Sequence, residues 1–129
     1  MNNTQTQTLD HIYKSLTLLD GISPENVIDL MGKLAEYKYV YSLDQLRRGR
    51  FIRWISLHLK RNDVFKLSYG GMIVDIEITD ECPMILCKTP VGKMVKINFN
   101  ENRVYQKLTA DEKLIILCEN IIELPSDNK

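Results

Sequence analysis

Long apolar runs, net charge and cysteine pairs are all missing from this chain. Nowhere does it approach the roughly 18–20 consecutive apolar residues of a bilayer-spanning helix, so no membrane span is expected. Seventeen basic and seventeen acidic side chains cancel. That balance argues against a protein that coats nucleic acid with its whole surface. Cys82, Cys87 and Cys118 are the only cysteines. An odd count with apolar neighbours around Cys87 and Cys118 points to reduced, buried thiols. It therefore favours an intracellular, reducing compartment over a disulfide framework. Met1–Thr8 is polar, with no basic stretch leading into an apolar one, and does not read as a secretory signal.

Motifs for catalysis and cofactors are equally sparse. Gly92–Lys93 lacks the upstream glycine of a phosphate loop, and Met94 stands where Ser or Thr belongs. A hairpin turn is the better reading there. Cys82 and Cys87 have a C-x4-C spacing, but no second pair follows, and His11 and His58 lie far away. A zinc site is not expected. No Ser or Cys sits in a recognisable nucleophile motif. Asp75 and Glu77 share a strand face, a geometry open to acid–base chemistry, yet a solvated face explains them more simply. The expectation is a non-enzyme with no cofactor and no metal.

What the chain does have is ordinary globular composition, 44% hydrophobic and 26% charged over 129 residues, enough for one core without staples. Leu9, Ile12, Tyr13, Leu16 and Leu19 recur at helical spacing, with Thr8 or Asp10 to cap the start and Gly21 to end it. Ser23, Pro24 and Glu25 then open a second helix with the stripe Val27, Leu30, Met31 and Leu34. Glu36–Tyr41, with alternating Tyr37, Tyr39 and Tyr41, suits either a helix end or a short extended segment. Its tyrosines read as packing between helix and sheet.

From Arg50 the pattern changes to period two. Arg50–Leu59 carries apolar residues on both faces, as a strand enclosed on both sides requires. Arg61–Asn62–Asp63 turns, and Val64–Leu67 leads into Gly70–Gly71, a place for a bulge or sharp bend. In Met72–Thr79, the residues Met72, Val74, Ile76 and Ile78 are expected inward, and Asp75, Glu77 and Thr79 outward. Strands at Met84–Lys88, Lys93–Phe99 (Val95, Ile97 and Phe99 inward) and Arg103–Leu108 follow, joined by tight turns. Thr109 to Glu112 forms a capping box. It starts a last helix with Leu114, Ile115, Leu117, Cys118, Ile121 and Ile122 as its apolar stripe, ended by Pro125. The fold expected is α+β: an N-terminal helical hairpin (1–41), then a small five-stranded antiparallel SH3-like barrel with a C-terminal helix (42–129), together one compact unit.

The strongest functional feature is a basic segment. Arg47, Arg48, Arg50, Arg53, Lys60 and Arg61 occur with no acid between Gln45 and Asn62, and Trp54 lies among them. Arg48, Arg50, Arg53, Trp54 and Lys60 are the candidate partner-binding residues, because Arg and Trp are common interface anchors. Three uses fit: a protein partner, which leads; nucleic acid, through phosphate contacts and stacking; or internal pairing with Asp75 and Glu77 on an adjacent strand. Val64–Leu67 or Arg103–Leu108 would, as an exposed edge, let copies of the chain pair into a homo-oligomer.

The segments G-R-F-I-R-W-I at Gly49–Ile55, the Gly70–Gly71 pair, K-T-P-V-G-K at Lys88–Lys93 and V-Y-Q-K at Val104–Lys107 resemble a pattern in short uncharacterised proteins of large nucleocytoplasmic DNA viruses. The resemblance covers about half the chain. It implies a viral accessory or virion-associated protein, located in the host cytoplasm or the virion, and supplies no catalytic residues.

Overall fold

The computed structural model describes residues 4–58 and 64–123. The element order is α1 (Thr4–Thr17), α2 (Pro24–Lys33), β1 (Tyr37–Val40), a 3-10 turn at Leu43–Gln45, β2 (Phe51–Ser56), β3 (Gly71–Ile78), β4 (Pro83–Lys88), β5 (Met94–Asn98), a 3-10 turn at Phe99–Glu101, β6 (Asn102–Lys107) and α3 (Ala110–Glu123). The class is α+β, as expected.

The strands form one antiparallel sheet of six, in the order β1-β6-β2-β3-β4-β5. Two expectations change here. The extra strand is β1, built from the tyrosine segment, which pairs with β6 from Tyr37↔Lys107 to Val40↔Val104. The sheet is also not closed: β1 and β5 are its two ends. Arg103–Leu108 is consequently no edge, since β6 lies between β1 and β2. In Val64–Leu67 the bridge to the sheet among the described residues is an isolated one, Ile55↔Leu67. The expected end of the β2 strand at Leu59 and the turn at 61–63 lie outside the described residues.

β2 explains why one strand carried apolar residues on both faces. Ile55 joins a cluster with Ile12, Leu16, Leu19, Val27, Leu30, Leu34, Tyr37, Phe65 and Tyr105, and Phe51 packs against it. Ile52, an odd number of residues away and so on the opposite face, joins Val40, Leu46, Ile73, Ile85, Cys87, Ile97 and Val104, with Trp54 alongside. The first cluster is the underside of α1 and α2. The second takes residues from all six strands plus Leu43 and Leu46 of the turn after β1. Burying each such Leu or Ile contributes about 1.5–3 kcal/mol, so both faces of the β1-β6-β2 half are held.

Strand β3 corrects the expected inward set. Ile73 is buried, whereas Met72, Val74 and Ile78 are exposed. The register shifts between Ile73 and Asp75. This bulge, one residue long, changes which parity faces inward, so Ile73 and then Ile76 reach the second cluster. Asp75 and Glu77 point away. The glycines before the strand serve another purpose. Gly70 has φ +94°, and a Cβ there would lie 2.6 Å from the Ile52 carbonyl oxygen and from the Phe51 ring. The incoming loop can therefore lie directly on β2.

α1 begins at Thr4, upstream of the expected caps Thr8 and Asp10, which lie inside the helix; α2 starts as its local signals require. The Ser23 side chain accepts from the Asn26 amide at 3.1 Å, and Gly21 turns with φ +82°. Asn26 then acts as a backbone mimic: its Nδ2 donates to the Phe65 carbonyl at 3.0 Å and its Oδ1 accepts from the Phe65 amide at 2.9 Å. This pair ties the segment after residue 63 to α2.

Candidate functional site

Arg48, Arg50, Arg53 and Trp54 do not form one surface. Residues 53 and 54 are consecutive in β2 and so point to opposite sides of the sheet. Trp54 is half-buried against the second cluster. Arg53 donates from Nε to the Ser68 carbonyl at 2.8 Å. Arg50, 19% exposed, reaches Glu112 at 2.6 Å and the Lys107 carbonyl at 2.7 Å. Arg48 is exposed and pairs with Asp75 at 2.7 Å, an exposed contact worth at most about 1 kcal/mol. Internal pairing, one of the three expected uses, is therefore realised with Asp75. Glu77 instead meets Lys96 at 3.5 Å. Lys60 lies outside the described residues.

Arg50 leads to a second locus, the start of α3. Thr109 and Glu112 form the expected capping box: the Glu112 amide donates to Thr109 Oγ1 at 3.0 Å, and the Thr109 amide donates to Glu112 Oε1 at 2.9 Å. The same carboxylate takes Arg50, the residue before β2, and Lys38 from β1, the latter at 3.2 Å. Burial pushes the Glu112 carboxyl up. The Thr109 amide, Lys38 and Arg50 together outweigh that and hold it below the ordinary carboxylate range. Lys113 adds a pair with Glu36 at 2.6 Å. The first turn of α3 is thus bolted to the sheet by charge.

Beyond that turn α3 lies against α1, with Ile116 half-buried, but most of its described apolar side chains are exposed. Leu114, Ile115 and Leu117 are 57%, 57% and 54% exposed. Cys118, expected to be buried, is exposed as well. The stripe seen in the sequence lies on this helix, but Leu114, Ile115, Leu117 and Cys118 face outward, while the side chains of Ile121 and Ile122 lie outside the described residues. Ile116 and Leu117 border a shallow groove with Thr8, Leu9, Ala35 and Leu108.

A third locus was not visible in the sequence. His11, Lys14, Ser15 and Leu18 of α1, Tyr39 and Tyr41 at β1, and Arg103 of β6 line a cleft of about 480 Å³. The Tyr39 ring lies 5.5 Å from that of Tyr105 and 6.4 Å from that of Tyr41, tilted in both cases. The three rings form a ladder from the core to the surface: Tyr105 is fully buried and Tyr41 is 67% exposed. The foot of the ladder is fixed. The Ser15 hydroxyl hydrogen-bonds the Tyr105 hydroxyl at 2.7 Å, and burial raises the Tyr105 pKa far above that of a free phenol despite this bond. Arg103 donates from Nε to the Ser15 carbonyl at 3.4 Å. Among the described residues no carboxylate pairs with Arg103, unlike Arg48 and Arg50. These residues come from three elements spread over more than ninety positions, with no shared motif. Only the alternating tyrosines hinted at them.

Among the described residues, no group of three or more His, Cys, Asp or Glu side chains is placed to hold a metal ion, and no helix is long and apolar enough to cross a membrane. No protein-family model, curated protein or solved structure matches the chain.

Proposed function

We propose that the protein is a non-enzymatic interaction module that holds a protein partner against the outward face of α3. The observation that carries this is the contrast within that helix: a first turn fixed by Glu112 to Lys38 of β1 and to Arg50 at the entry to β2, followed by three large apolar side chains each more than half exposed. Large exposed apolar side chains on an anchored element are what a partner surface needs. The basic segment supports the module from within, through Arg50 on α3 and Arg53 on the Ser68 segment, and leaves Arg48 as a charged contact outside the patch.

The sheet itself, open between β1 and β5, we interpret as an SH3-like arrangement extended by β1. The meander β2-β3-β4-β5, the 3-10 turn and the return of β6 to β2 support that reading. So does the second cluster, to which all six strands contribute. The resemblance of four short segments to proteins of large DNA viruses supports a viral accessory or virion-associated role.

The test is affinity capture from the native source with wild-type protein and with Leu114→Asp/Leu117→Asp, each with and without nuclease. A protein that is retained after nuclease and lost with the double variant is the expected result. Retention on the double variant would contradict the role of α3, and loss on nuclease treatment would contradict a protein partner.

A further inference from the structure

We propose that the cleft between α1 and strands β1 and β6 is a binding site for single-stranded nucleic acid, separate from the α3 surface. The lining combines the two things such a ligand offers. His11, Lys14 and Arg103 bring cationic or donor groups to one cleft whose lining contains no acid. Among the described residues Lys14 pairs with Asp10, through an exposed contact one helical turn back, which a phosphate can displace at little cost. Arg103 is half-buried with no carboxylate partner among the described residues. A guanidinium held in place with planar donors to spare suits a phosphate oxygen pair.

The rings decide between anionic polymers. Tyr41 stands exposed at the end of an edge strand, backed by Tyr39, which is backed in turn by the buried Tyr105. A ring supported in this way offers a stacking face at low entropic cost, and every nucleobase has a matching flat face. An acidic peptide has carboxylates for the cations but brings no flat ring to Tyr41. A duplex hides its base faces in its stack, so the ligand is a single strand. The cleft volume, about 480 Å³, lies within the usual range for small-ligand sites and suits one or two nucleotides.

The experiment is fluorescence anisotropy with labelled oligo-dT and oligo-U of about twelve nucleotides, at salt concentrations from about 50 to 200 mM. Binding is expected to weaken with salt at a log–log slope of about −1.4 to −2.1, corresponding to two or three phosphates. Tyr41→Ala is expected to weaken binding about tenfold. Arg103→Gln should weaken it and make the slope shallower by about 0.7. Arg48→Gln and Leu114→Asp/Leu117→Asp should leave it unchanged, which separates this site from the α3 proposal. If circular dichroism shows Arg103→Gln to be unfolded, Tyr41→Ala and Lys14→Glu decide, since both residues are exposed. No anisotropy change at low salt overturns the proposal, as does affinity indifferent to Tyr41. Equal binding of polyglutamate with the same variant sensitivity would assign the cleft to acidic peptides instead.

Discussion

α2 and α3 start from similar instructions and end differently. Each opens on a side-chain cap, and each carries apolar residues at helical spacing. In α2 the cap is Ser23 and the stripe goes into the core, with Val27 and Leu30 buried and Leu34 sealed just beyond the last turn. In α3 the cap is a capping box, and Leu114, Ile115 and Leu117 stay in solvent. An apolar stripe records that something must cover it. It does not record whether the cover belongs to the same chain. The two helices are also held by different forces. Dispersion and the hydrophobic effect hold α2, whereas α3 adds the ion and hydrogen-bond cluster around Glu112 to its packing against α1.

That contrast can be broken by substitution. Leu30→Ala, at a site only 1% exposed, should cost about 2–5 kcal/mol in denaturant unfolding. A cost under about 1 kcal/mol would mean α2 is not core. Glu112→Gln removes the charge that Lys38 and Arg50 share. It should weaken the attachment of α3 by about 1–3 kcal/mol, read as faster hydrogen exchange in the backbone after residue 112 with β2 and β6 unaffected. Leu114→Ala should change stability by no more than about 0.5 kcal/mol, as at any exposed site. A larger loss would place Leu114 in a core that α3 shares with the rest of the chain.

Acid offers a second way to separate the helices. The folded Glu112 carboxyl titrates below the ordinary carboxylate range, so the unfolded chain takes up its proton first as pH falls. Its contribution is complete above the ordinary glutamate value of about 4.3 and disappears as pH drops through the lower folded value. Exchange protection in α3 should decline over that acid window in the wild type and show no such step in Glu112→Gln.

Thiol chemistry sharpens the same comparison. The Cys87 thiol is buried, and burial pushes its pKa up to about 12, so thiolate-directed alkylation near neutral pH should leave it untouched. The exposed Cys118 should react first. Rapid modification of Cys87 in native protein would contradict the second core cluster.

Much of this architecture was legible in the residues, and the exceptions have physical causes. The Thr109–Glu112 box, the Ser23–Pro24 start and the double-faced β2 follow from short-range rules and appear as read. β1 was ambiguous because three tyrosines separated by single residues satisfy a helix end and a strand equally until β6 is there to pair with. The inward set of β3 slipped because a bulge at Val74 leaves no mark of its own in the sequence. The arginine cluster was visible, but its partners were not: Glu112 is sixty-two positions from Arg50. The cleft at Tyr41 was illegible for the same reason, since His11, Tyr41 and Arg103 meet only after the sheet has formed.

The most direct test of the interaction module compares capture from the native source by wild-type protein and by Leu114→Asp/Leu117→Asp, both treated with nuclease and matched for thermal midpoint. The account predicts one or more proteins bound to the wild type and absent from the double variant, with midpoints within a few degrees. The same proteins on both baits would contradict it.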